Sequence, residues 1–132
     1  MTRKEITVLG GRPGHGKTTL MINAVRTLIE SGHKIVLFNR EMSNVEMMKK
    51  IIVMESQNLI YSDLRQNQLN GTKDTVHKTA EQIKEKYKNL IMYDDIRTLS
   101  ESIREVNKLK PDVVFDDYIQ LIGVDNNKND GR

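Results

Sequence analysis

The spacing of hydrophobic and polar positions changes repeatedly along this 132-residue chain, and the changes mark out its elements. Glu5, Ile6, Thr7, Val8 and Leu9 alternate polar and apolar with β-branched residues, which predicts a first strand over 5–9. From Thr18 to Glu30 the period becomes helical. Leu20, Ala24 and Leu28 form one apolar stripe and Met21, Val25 and Ile29 an adjoining one, while Asn23, Arg26, Thr27 and Glu30 stay polar. Ser31 and Gly32 end that helix. The run 34–39 (Lys-Ile-Val-Leu-Phe-Asn) is continuously apolar in the way of a strand buried on both faces.

Ser43 or Asn44 can cap the next helix, with Glu46 spaced to complete a capping box from Ser43. That helix carries Val45, Met48, Ile51, Ile52 and Met54, its methionines read as core filler. Leu59, Ile60, Leu64 and Leu69 predict a short helical connection over 57–71, closed by Asn70 and Gly71. Residues 72–87 form a clearer helical pattern, with Val76, Ala80, Ile83 and Tyr87 on one side and Asp74 as its cap. Leu90 to Tyr93 predicts another strand. Thr98 and Glu101 form a capping box for a helix lined by Leu99, Ile103, Val106 and Leu109 and stopped by Pro111. Val113, Val114 and Phe115 then lead into Asp116 and Asp117. Residues 123–132 are polar and without period, which predicts a flexible loop or frayed end. Strands alternate with helices throughout, so the fold class is α/β, a parallel sheet flanked by helices.

Composition narrows the picture little. The length suits one domain with a real core, and 37% hydrophobic with 30% charged residues suits a globular chain. No apolar run is long enough to span a bilayer, and the chain leads straight into the first strand without a signal peptide, so the expected location is the cytoplasm. The absence of cysteine excludes disulfides and thiolate metal sites. A net charge of +3 with mixed signs does not by itself argue for nucleic acid. His15, His33 and His77 have no metal-ligand spacing.

The chemistry concentrates between the first strand and the first helix. Gly10, Gly11, Arg12, Pro13, Gly14, His15, Gly16, Lys17, Thr18 and Thr19 contain the pattern G-x-x-x-x-G-K-S/T of phosphate-binding loops. Glycines let backbone N–H groups turn inward around phosphate oxygens, and the helix that follows aims its positive end at the same anion. Lys17 would contact the β- and γ-phosphates, and the Thr18 hydroxyl would hold Mg²⁺. An apolar strand ending in aspartate downstream supplies a carboxylate for the same metal. Asp116 or Asp117 can fill that role, and strand alternation lets only one of them face it. Glu41, just after the second strand, can polarise an attacking water; the alternative is a loop glutamate paired with Arg40.

Together these motifs resemble DnaB-type replicative helicases. Gly11 to Thr18 is similar to that family's loop G-x-R-P-G-x-G-K-S/T, Arg40-Glu41-Met42-Ser43 to its S-L-E-M segment, and Asp117-Tyr118-Ile119-Gln120-Leu121 to its D-Y-L-Q-L motif. The resemblance runs from about residue 6 to residue 122, and several phage helicases share the pattern, in which case the cytoplasm is that of the host. It implies the amino-terminal part (1–122) of a RecA-like ATPase domain that binds ATP and Mg²⁺. Within it, Glu41 would be the catalytic base beside Lys17, Asp117 rather than Asp116 the metal-associated carboxylate, and Gln120 a residue coupled to the nucleotide site. It further implies rings (hexamers) of full-length copies, single-stranded DNA as partner, and a primase or helicase loader beside them. This chain has Arg40 where the family has Leu.

The family's domain continues with a strand that lies between the phosphate-loop strand and the metal strand, and with an arginine finger worth ~10³–10⁵ in rate. Neither is in this sequence, so weak turnover by the isolated chain is expected. The tail 123–132 falls where the family begins a DNA-contacting loop, making Lys128 and Arg132 candidate phosphate contacts. Two rival readings stand beside the helicase. One is a small P-loop kinase, for whose arginine-rich lid the stretch 61–70 offers only Arg65. The other is a helicase-associated ATP-binding protein that unwinds nothing.

Overall fold

The computed structural model describes residues 5–56 and 73–123. Its elements run α1 (Lys17–Glu30), β1 (Ile35–Asn39), α2 (Asn44–Glu55), α3 (Lys73–Lys86), β2 (Leu90–Tyr93), α4 (Leu99–Leu109), β3 (Val113–Asp117) and a 3₁₀ turn at Ile119–Leu121. The connection expected over 57–71 and all but the first residue of the 123–132 tail lie outside the described residues.

The three strands are parallel in the order β2–β1–β3. The continuous apolar run becomes the central strand, buried at all five positions. Parallel pairing puts register partners on the same face, so the sheet sorts its residues into two sets. Ile35 and Leu37 face a core with Ile22, Val25 and Ile29 of α1, Met47 and Ile51 of α2, and Ile83 of α3. Phe38 faces the other way, toward Ser102, Ile103 and Val106 of α4 and Val114 and Asp116 of β3. The described residues thus show the expected α/β architecture, helices on both faces of a parallel sheet.

Several expectations need correction. Residues 5–9 form no strand: Ile6 is 92% and Val8 78% exposed, and the segment joins none of the described strands in the sheet. Alternation gives a segment a strand-like pattern, but a strand forms only when a neighbour supplies its ladder of hydrogen bonds. The buried spine of α1 is Ile22, Val25 and Ile29, so the expected Met21, Val25 and Ile29 stripe meets the sheet, joined by Ile22, while Leu20 of the other stripe is exposed. In α2 the core residues are Met47 and Ile51, and Val45 points outward. Asp74 falls one residue inside α3, which begins at Lys73.

On α4 the apolar stripe is half-covered: Leu99 and Ile103 remain exposed, and the one buried residue is Ser102. The capping boxes fare better. The Thr98 hydroxyl accepts from the Glu101 N–H while the Glu101 carboxylate accepts from the Thr98 N–H, and the Ser43 hydroxyl accepts from the Glu46 N–H. Gly123, expected to open a loose tail, is instead fastened. Its N–H donates to Arg97 O at 2.7 Å and its carbonyl accepts from Leu99 N at 3.3 Å.

Candidate functional site

The loop before α1 turns through two glycines at φ +78°, Gly14 and Gly16. Gly16 occupies the N-cap of α1 in the left-handed region and supplies no side-chain cap, and the first turn carries no acidic residue. The positive end of the helix is therefore open to an anion. The Lys17 side chain folds back over the loop and donates to the carbonyls of Gly11 at 2.8 Å and Arg12 at 3.1 Å. The Arg12 carbonyl also accepts from His15 N. A Cβ on Gly11 would stand 3.3 Å from Lys17 Cγ, so the close approach of loop and lysine favours glycine there. Arg12, Pro13, Gly14, His15 and Thr19 are all exposed along this rim.

From the other end of the fold, Asp117 closes β3 with its carboxylate toward α1, and the Thr18 hydroxyl donates to Asp117 Oδ2 at 3.1 Å. These residues are 99 positions apart in sequence, and the sheet brings them together. Asp116 points to the opposite face, as strand alternation requires. There its carboxylate accepts a two-pronged pair from Arg40, Nε to Oδ1 at 2.7 Å and Nη2 to Oδ2 at 2.6 Å. The Arg40 side chain is fully buried. It also donates to Ile96 O and Ser102 Oγ and lies 5.3 Å from the centre of the Phe38 ring. Arg40's partner is thus Asp116, not Glu41.

Glu41 follows at the carboxyl end of β1, exposed, with no hydrogen bond or ion pair from another described residue holding its side chain. Gln120 is exposed in the 3₁₀ turn just past Asp117. The structure therefore brings Lys17, Thr18 and Asp117 to one spot and puts Glu41 and Gln120 on the same sheet rim without direct contacts to them.

The oxygens fit a hard cation. Neighbouring ligands of octahedral Mg²⁺ at about 2.0–2.1 Å from the metal stand roughly 2.9 Å apart, close to the Thr18–Asp117 separation. Because the Thr18 hydroxyl donates its hydrogen to the carboxylate, the threonine lone pairs are left for a metal. Among the described residues no group of three His, Asp or Glu side chains could hold a metal unaided. The remaining ligands would be waters and phosphate oxygens, the usual situation for Mg²⁺.

Sequence reasoning missed the Arg40 clamp and its extension. Arg97 Nη1 donates to Arg40 O at 3.1 Å, and Asp94 accepts from the Asn44 N–H at the start of α2. A signal was available in the arginine standing at the end of an apolar strand, which must find a carboxylate if it is to be buried.

Comparison with known proteins shows the family. The chain is 28% identical over 130 residues to the "Replicative DNA helicase DnaB" of Mycoplasma pneumoniae, covering 89% of this chain and 27% of that protein. It is 30% identical over 126 residues to the protein of the same name from Mycoplasma genitalium (89% and 26%), and 27% identical over 124 residues to that of Helicobacter pylori (89% and 25%). The chain thus spans about a quarter of the length of the curated relatives it matches. Its residues 1–132 match the profile of the DnaB-like helicase C terminal domain from end to end, and to that family the chain belongs.

Proposed function

We propose that this chain is the ATP-binding and hydrolysing module of a replicative DNA helicase that moves on single-stranded DNA to unwind duplex. The observation that carries the reading is the Thr18–Asp117 contact at the head of the glycine loop. It joins a phosphate cradle to a metal-ready carboxylate, and family membership supplies the setting.

In this reading the loop 10–16 and the start of α1 surround the phosphates with N–H groups and a helix dipole. Lys17 leaves the carbonyls of Gly11 and Arg12 for the β- and γ-phosphates. Thr18 and Asp117 hold Mg²⁺, which when bound neutralises charge on the phosphate oxygens. Glu41 accepts a proton from the attacking water and orients it. Gln120, three residues after Asp117, relays the state of the nucleotide to the chain that follows. Residues 1–122 are the first part of the motor domain, and Lys128 and Arg132 contact DNA phosphates. Rings of full-length copies, with a primase or loader alongside, complete the machine.

The test is ATP turnover by the full-length protein with and without single-stranded DNA, beside Lys17→Ala. DNA-stimulated turnover that disappears in the variant supports the motor. Tight ATP binding without any DNA response overturns it and leaves a nucleotide-binding module. Phosphoryl transfer to a small acceptor would make the protein a kinase.

A further inference from the structure

We infer that Arg40 is a positioning residue for hydrolysis: it clamps the ends of β1 and β3 together and thereby fixes the peptide that carries Glu41. The inference rests on the reading of Glu41 as the base.

The residues that carry the proposed chemistry, Glu41 and Asp117, each sit directly after a member of the ion pair between the buried Arg40 and the part-buried Asp116. Arg40 is held to β3 twice. Its N–H donates to Asp117 O at 2.7 Å, and its guanidinium makes the two-pronged bond to the Asp116 carboxylate. The Arg40 carbonyl, which belongs to the same peptide unit as the Glu41 N–H, accepts from Arg97 Nη1 at 3.1 Å. The backbone entering Glu41 is therefore anchored at both polar groups of residue 40, while the Glu41 side chain stays exposed. A base must lie within about 2.6–3.2 Å of the proton it takes, and misplacement by an ångström is enough to slow a reaction by about a hundredfold. A rigid backbone under a free carboxylate meets that need.

A buried ion pair does not require a functional reason, since it can simply be part of the packing. The two possibilities part experimentally. Arg40→Leu alone strands the Asp116 carboxylate and endangers folding, so the informative protein is the double variant Arg40→Leu/Asp116→Leu. There an apolar pair replaces the ionic one, an exchange that buried pairs often tolerate.

Single-turnover ATP hydrolysis by the full-length protein on single-stranded DNA is measured for four forms: parent, Glu41→Gln, the double variant, and the double variant combined with Glu41→Gln. Nucleotide affinity and melting temperature are recorded for each. Positioning predicts that the double variant melts and binds ATP like the parent but hydrolyses at least tenfold more slowly. With Glu41 already replaced, the same double change should alter the residual rate by less than twofold. A double variant hydrolysing within twofold of the parent overturns the inference and leaves Arg40 a packing residue. So does a further tenfold loss in the Glu41→Gln background, which would mean that Arg40 does not act through Glu41. Parental turnover by Glu41→Gln itself would overturn the assignment of the base, and the Arg40 inference with it; that outcome is read from the single variant alone.

Discussion

The two faces of the sheet are built on different physics. Toward α1, α2 and α3 lies a dry cluster in which Ile35, Leu37, Met47 and Ile51 are essentially inaccessible. Around its rim Glu55 of α2 gathers the Lys86 ammonium at 2.9 Å, the Tyr87 hydroxyl at 2.8 Å and Arg26 at 3.4 Å, tying three helices at one corner. Toward α4 the covering is thinner. Phe38 stacks on Tyr93 with ring centres 5.7 Å apart, Leu99 and Ile103 stay half-open, and a guanidinium is buried along with Val36 and Phe38. The first face supplies stability by burial. The second uses charge to set where two strand ends lie, and there direction counts for more than area.

Breaking the polar face is expected to have the largest effect. Arg40→Ala leaves a carboxylate uncompensated and should lose about 3–5 kcal/mol in urea unfolding. The double change to leucines should restore the parent's stability. Leu37→Ala opens a cavity in the dry face and should lose about 2–5 kcal/mol by the same measurement. If Arg40→Ala were mild and Leu37→Ala severe, the α4 face would not depend on its ion pair. Thr98→Ala removes the cap of α4 and should cost about 1 kcal/mol.

The corner around Glu55 sharpens the comparison through pH. Burial pushes the Glu55 carboxyl up, but hydrogen bonds from Lys86 and Tyr87 outweigh it and hold the group below the usual carboxylate range. A depressed carboxyl stabilises the fold above its ordinary value and loses that contribution as pH falls through the folded value. Melting temperature should therefore drop below about pH 4.5, and Glu55→Gln should flatten that decline. The Tyr87 hydroxyl is shifted upward, by burial first and by its bond to Glu55 second. Its stabilising effect is present at neutral pH and fades in strong alkali, on the opposite limb. Smallest of all should be Ile103→Ala, under about 1 kcal/mol, because half of that side chain already meets solvent.

The sequence made the elements legible wherever one residue type or one period decided the matter. The run 35–39, the caps at Ser43 and Thr98 and the loop with its lysine all stand where local chemistry predicts. What it could not convey was which neighbour each face would meet. Residues 5–9 have a strand's alternation but no place in the described sheet, and α4 has an apolar stripe that the described residues only half cover. The choice between Asp116 and Asp117 shows the same limit. Alternation said that the two must diverge without saying which would face Thr18; only the resemblance to the family's motif pointed to Asp117, and in the fold Asp117 meets Thr18 while Asp116 meets Arg40. Arg40 itself was visible as a departure from the family's leucine, but its partner was 76 residues away and the spacing carried no trace of it.

The short bridge at Gly123 has a mechanical consequence. Two backbone hydrogen bonds stitch it to Arg97 and Leu99, and the same Arg97 reaches on to the Arg40 carbonyl. The outgoing chain is thus moored to the residue that steadies the approach to Glu41. Tension along the backbone beyond Gly123 would be delivered at Arg97 before it could stretch the 3₁₀ turn, and the rim of the sheet would answer to a tug from downstream as a rope answers at its cleat.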